Sequence, residues 1–370
     1  MTSRNESVDI LRGIGIVAVV AGHAGTNIGI QVLPVYSFHM PLFFFVSGLL
    51  FSDEQETPAL TTLRRLGKLL AASFVAFFLY DIILSAALRK FGYPVVPGKV
   101  MDFGKKLAWG GGFGAAQWFV GCYIFTILYF EMIHRRLFKY MSRLGTSSAR
   151  LIFLVVYFVV AVGCIYASGA IYGHATDEER VAISRTYGVS VFIIRFIFSF
   201  FFYYLGTVIA LIKKRTIKFY VLLFMSLYAI QSICYFNQNI YFSMQIMHFY
   251  NKYTPIITSV CGTLMCYIVA GGIHGSIFGN LFAVAGRRSL SIFLNHIVGF
   301  FVVNVIFVML GMVEPSNIGS KHFRFMEWYT TPVYILGGLG YPICVSLLLD
   351  RLKKLPNRCL RSRQRASAAG

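Results

Sequence analysis

Arg12 and His23 are the first residues in the chain whose types and spacing suit chemistry. They stand in the run Asp9-Ile-Leu-Arg12, then ten small or aliphatic residues, then His23. On a helix a separation of eleven residues is a rotation of about 1100°, so the two share one face to within about 20° and lie about 16 Å apart along the axis. Asp9 precedes Arg12 by three residues, within reach of an ion pair. An imidazole is the usual general base near neutral pH, and a guanidinium at the far end of the same stripe suits an anionic cofactor. The plainer alternative has Asp9 and Arg12 marking a membrane edge and His23 capping the helix. Gly13, Gly15, Ala18, Ala21 and Gly22 let a neighbouring helix or a ligand come close.

Other candidates follow along the chain. His39, in Phe38-His39-Met40-Pro41, opens a second apolar segment at the level of His23, where two imidazoles would share a proton or one would anchor a loop. Arg64, Arg65 and Lys68 crowd the start of a third segment. Such a cluster is an ordinary topology signal, and it is also what a phosphate-rich cofactor needs. Asp81 lies deeper in that segment, and Arg195, the other buried charge, near the outer end of the sixth. They read either as a pair or, for Asp81, as the group that orients His23. Trp118 is a belt anchor or a platform for a sugar face. Asn295 and His296, in SLSIFLNH, read as helix-to-helix hydrogen bonding with a functional alternative.

These residues must be positioned by elements that live in lipid. The 370 residues are 57% hydrophobic and only 13% charged, against roughly a quarter charged in soluble proteins. Apolar runs predict transmembrane helices near 10–30, 36–52, 66–88, 114–133, 151–172, 189–212, 219–236, 255–273, 289–312 and 332–350, with 274–288 interfacial or re-entrant. The expected fold is an all-α bundle of about ten transmembrane helices over 1–350, followed by a basic tail at 351–370. Between the helices, 22 Lys and Arg fall on the side of the termini and 10 on the other, which places both termini in the cytoplasm. One loop, 89–113, runs against this rule with five basic residues on the outer side. The net charge of +20 is distributed as topology demands, so nucleic acid is not an expected partner. The seven cysteines show no metal-ligand spacing and no disulfide framework.

The run DILRGIGIVAVVAGH, followed by FHMPLFFFVSGLLF, resembles the opening of the acyltransferase-3 family of integral membrane acyltransferases. The FHMPLFFF segment is most similar to its fucose and glycan O-acetyltransferase branch. The family's first-helix signature, a basic residue, ten others and a histidine, is met by Arg12 and His23. Its basic pair at the start of the third helix is met by Arg64-Arg65-Leu-Gly-Lys68, with Lys where the family has Arg. QWF at 117–119, FFYYLG at 201–206 and GRRSLSIFLNH at 286–296 extend the resemblance along the chain.

The resemblance implies a multi-pass protein of the bacterial inner membrane. It would move an acetyl group from acetyl-CoA, a co-substrate rather than a bound cofactor, to a glycan hydroxyl on O-antigen, exopolysaccharide or a lipo-oligosaccharide. Joined to the residues above, it makes His23 the base, with Arg12, Asp9, His39 and Asp81 in the catalytic group. Arg64, Arg65, Lys68 and Arg12 would hold acetyl-CoA, and Trp118 and Arg195 would meet the sugar. The extracytoplasmic hydrolase-like domain of some members is expected to be absent. A transporter or flippase of a lipid-linked glycan would account for the helices and buried charges. It would leave the basic cluster beneath a deep histidine without a purpose, and no internal repeat supports it.

Overall fold

The computed structural model describes residues 6–25, 32–55, 58–93, 95–110, 117–173, 175–213, 215–237, 239–319, 323–327 and 329–367, with the side chains of 177, 319 and 352–367 excepted. The predicted span positions 26–30 and 114–116 lie outside these residues.

The elements are helical almost throughout. The chain begins with α1 (Glu6–His23), α2 (His39–Gly48) and α3 (Ala59–Phe77), which continues through a π-helical turn, Phe78–Leu84, into α4 (Ser85–Lys90). Next come α5 (Phe103–Trp109) and α6 (Gln117–Tyr129), the latter joined by a second π turn, Phe130–His134, to α7 (Arg135–Met141). The middle of the chain holds α8 (Thr146–Tyr172), α9 (Asp177–Thr186), α10 (Gly188–Ala210) and α11 (Ile217–Asn237). A short antiparallel hairpin, β1 (Phe242–Ser243) and β2 (His248–Phe249), precedes α12 (Pro255–Gly272), α13 (Ile277–Arg287), α14 (Ser289–Met309) and α15 (Thr330–Ser367).

Seven of the described helices are long and apolar enough to cross a membrane: Ala59–Lys90, Thr146–Tyr172, Gly188–Ala210, Ile217–Asn237, Pro255–Gly272, Ser289–Met309 and Thr330–Arg351. α1 carries Glu6, Asp9 and Arg12 and falls short on composition. α2, at ten residues, rises only about 15 Å. The expected second span is therefore shorter than 36–52, because the chain breaks at Phe38 between a 3₁₀ turn, Val35–Ser37, and the helix. The third is longer than 66–88 at both ends. The tail expected at 351 onward continues α15 without interruption to Ser367.

Packing follows the small residues. α13, the stretch expected to be interfacial or re-entrant, is a helix capped by Ser276, whose hydroxyl accepts the Gly279 N–H at 3.0 Å. It lies against α1 so closely that a Cβ on Gly286 would fall 1.8 Å from the Asp9 carbonyl oxygen, and one on Gly13 would fall 1.9 Å from that of Phe282. α2 and α10 meet in the same way, with Gly48 against the Tyr203 carbonyl and Gly206 against that of Phe45. Dispersion and backbone proximity, rather than water exclusion, drive such contacts in lipid. The outward faces carry Val155, Val159, Leu222, Met225 and Ile233, all exposed. Only 11% of the apolar window of α11 is buried, a surface that lipid tolerates and water does not.

Candidate functional site

One end of α1 opens onto a cationic cavity. Arg12 pairs with Asp9 at 3.9 Å. It lines a space of about 110 Å³ with Ser47, Arg65, Tyr123, Glu131, Arg135 and Tyr203 among its walls. Arg135 is the best anchored of the three guanidinium groups. It donates to Glu131 at 2.8 Å and to the carbonyls of Ser52 and Gln55, and it lies 4.4 Å above the Phe51 ring. The Ser47 and Tyr123 hydroxyls meet at 2.9 Å. Three cations facing one wall carboxylate favour an anion, and the volume equals only a few water molecules. It suits a phosphate-sized group or a narrow chain rather than a whole nucleotide. Of the predicted basic cluster, Arg65 lines this cavity. Arg64 and Lys68 are exposed and do not line it.

Behind the cavity is a buried network that the sequence analysis does not single out. His134 places Nε2 3.0 Å from Asp53 Oδ1 and Nδ1 2.7 Å from the Tyr157 hydroxyl. Arg150 joins Asp53 to Glu54, and Tyr157 meets Tyr129 at 3.1 Å. These contacts pin the 51–55 loop, whose Ser52 and Gln55 carbonyls hold Arg135. The available signal was the Asp53-Glu54 pair, two of only 14 acidic residues in the chain.

The other end of α1 reaches a cluster of imidazoles. The His23 ring lies 5.1 Å from that of His296 and 6.5 Å from Tyr36, and Tyr36 packs edge-on against His39 at 5.1 Å. His39 Nδ1 sits 2.6 Å from the Val35 carbonyl, and His296 Nδ1 sits 2.9 Å from that of Phe293. A carbonyl only accepts, so Nδ1 carries the proton in both rings and Nε2 of the neutral form carries a lone pair. His296 is fully buried, and its Nε2 has no hydrogen-bond partner among the described residues. Arg324 stacks 4.2 Å over Phe300, which packs edge-on against His296 at 5.9 Å. Burial brings the Arg324 guanidinium down to about 10, so it remains charged at neutral pH. Gly286 lies against Asp9 and Phe282 against Gly13, so α13 runs antiparallel to α1, and α14 turns back alongside α1 to bring His296 against His23. The sequence placed His23 and His39 at one depth. The structure joins them through Tyr36 and adds His296, which reads in sequence as a helix-to-helix hydrogen bond.

The remaining candidates gather elsewhere. Asp81, expected to orient His23 or to pair with Arg195, is ion-paired with Lys106 at 3.5 Å in a separate cavity. Arg195 is fully buried and satisfied by carbonyls: Nε by Met244 at 3.1 Å, one terminal nitrogen by Ala108 at 2.7 Å and the other by Gln245. Its guanidinium lies 4.8 Å over the Trp118 ring. Trp118 is thus not an interfacial belt residue but is buried, at 6% exposed, beneath a cation. The expected Asp81–Arg195 pair is replaced because the 98–110 segment brings Lys106 to Asp81 and the Ala108 carbonyl to Arg195.

Once this geometry is in hand, a family comparison adds to it. The family model described as an acyltransferase domain matches residues 5–351, which take in both ends of α1 and both cavities. No curated protein and no solved structure matches the chain.

Proposed function

The chain belongs to this acyltransferase family and is a membrane enzyme, and we propose that it transfers an acetyl group from acetyl-CoA to a hydroxyl of a cell-surface or lipid-linked glycan. The observation that carries the reading is the pairing on α1 of a guanidinium cavity with an imidazole cluster, about 16 Å apart along one face. Acetyl-CoA docks a phosphate on Arg12, Arg65 and Arg135 and extends its acyl-pantetheine arm along α1. A cation cluster binds the charged end without taking part in the bond change, and the thioester reaches the histidines.

There the glycan hydroxyl gives its proton to imidazole nitrogen as its oxygen attacks the thioester carbonyl. The tetrahedral intermediate collapses, the C–S bond breaks, and the leaving sulfur takes the proton back from the imidazolium. The products are an O-acetyl ester and free CoA thiol. His23 is the base, and a general base of this kind contributes typically 10²–10⁴-fold. His296 and His39, held as Nδ1–H tautomers by backbone carbonyls, present lone pairs that keep a hydroxyl or His23 itself oriented. The topology that goes with this reading has ten crossings and both termini in the cytoplasm of a bacterial inner membrane. The arginine end then faces the acetyl-CoA pool and the histidine end faces away from it.

The test is transfer of labelled acetyl from acetyl-CoA to candidate glycans by the purified protein in vesicles. Ester-linked label on a glycan, lost in His23→Ala, is the expected result. Acetyl-CoA turnover that never labels a glycan would point to another acceptor.

A further inference from the structure

A second cavity, of about 430 Å³, shares no lining residue with the first and is lined by Asp81, Asp102, Lys105, Lys106, Trp109 and Arg185 among others. Its volume is within the roughly 300–1,000 Å³ of small-molecule sites. On the continuous helix Ala59–Lys90, Asp81 is sixteen residues beyond Arg65, or about 24 Å. The two cavities are therefore at opposite ends of one element.

Its wall is built rather than incidental. The π turn at Phe78–Leu84 loosens the helical ladder at Asp81, whose carbonyl accepts the Gly98 N–H at 2.8 Å. At the other end of the same segment Arg195 holds the Ala108 carbonyl, and the Gln245 amide holds that of Trp109 at 3.0 Å. Trp109 is seated against Gly188, where a Cβ would fall 2.1 Å from its indole nitrogen. A buried cation and a half-buried glutamine thus fix the loop, which is how a site avoids an ordering cost on binding.

The charge on the wall is also specific. Lys106 is paired with Asp81, and Lys105 lies 3.8 Å from Asp102. Arg185 has no acidic partner among the described residues, so the lining carries one positive charge in excess. Three of the five basic residues at 89–113 that run against the positive-inside rule are Lys99, Lys105 and Lys106, and the latter two line this cavity. Part of the loop charge that runs against the topology bias is thus gathered at this cavity.

We propose that this cavity binds an anionic saccharide unit of the acceptor. Its carboxylate or phosphate sits near Arg185, Lys105 and Lys106, its ring lies against Trp109, and a hydroxyl donates to Asp81. The proposal rests on the glycan reading above and adds the charge class of the acceptor and the place where it is held. The cavity is a recognition site for a unit next to the one acetylated, not a second reaction centre.

Three probes test it on the full chain in vesicles: a glucuronate-bearing oligosaccharide, a hexose 1-phosphate and a neutral oligosaccharide. At least one anionic probe is expected to bind at least tenfold tighter than the neutral one, and the anionic probe that does so identifies the charged group. Arg185 is exposed, so Arg185→Glu is compatible with folding. It should erase that preference, and Arg185→Lys should keep it. Equal binding of all three, no binding of either anionic probe, or a preference that survives Arg185→Glu overturns the proposal. Labelled acetyl-CoA binding and acetyl transfer, measured in the same vesicles, fail separately if it is the acyltransfer to a glycan that is wrong.

Discussion

The two ends of α1 solve opposite problems. At the Arg12 end two of the three cations are tied to carboxylates, carbonyls or an aromatic face. Arg12 reaches Asp9, and Arg135 reaches Glu131, two carbonyls and Phe51. At the His23 end the described imidazole contacts are to other rings and to backbone carbonyls. Fixed charges held by fixed partners bind an anion without changing state. Neutral rings whose Nδ1 is tied to the backbone keep a lone pair at Nε2 and can take up a proton and release it. On the proposed function, the contrast separates a binding end from a chemical end, and each can be broken alone.

The largest effect should come from the chemical end. His23→Ala is expected to lower kcat by about 10²–10⁴-fold with helical content unchanged by circular dichroism. Retention of most activity would move the base to His296 or His39. The binding end should respond differently. Arg65→Ala is expected to raise the KM for acetyl-CoA by about tenfold with a small change in kcat, because the group acts on binding that is shared by ground and transition states. A loss confined to kcat would dissolve the distinction between the two ends.

Behind the binding end, Asp53→Ala leaves His134 without its carboxylate and Arg150 with Glu54 alone. It should cost about 1–3 kcal/mol of stability, read as a lower unfolding temperature in detergent, and it should loosen the loop that holds Arg135. An unchanged unfolding temperature would make that network incidental. The smallest effect belongs to Arg64→Ala. This residue is exposed like its neighbour Arg65 but does not line the cavity, so KM should stay within about twofold. A change as large as that for Arg65 would mean that the cavity extends further along α3 than its present walls.

The elements that lipid dictates were legible in the sequence, and the partners within the bundle were not. Composition and apolar length are local properties, so the helices at 151–172, 189–212 and 255–273 lie within a few residues of α8, α10 and α12. The stripe joining Arg12 to His23 follows from helical periodicity alone. Register between helices has no such local signature. Nothing in the sequence says that Lys106 rather than Arg195 meets Asp81, or that His296 stands beside His23, because both depend on which small residues let which backbones touch. Gly13 and Gly286 set α13 against α1, and α14 follows α13 directly. The short helices α5 and α9 and the hairpin at 242–249 were also missed, since each is too short or too polar to register as a membrane element.

In the proposed reaction one substrate is bound at the Arg12 end and the other is reached at the His23 end. Sealed vesicles of a single orientation test it most directly, with labelled acetyl-CoA on the side of the Arg12 end and the glycan acceptor enclosed on the other. Ester-linked label on the enclosed glycan, abolished by His23→Ala, is the expected result. Label appearing only on glycan supplied to the same side as acetyl-CoA would contradict it.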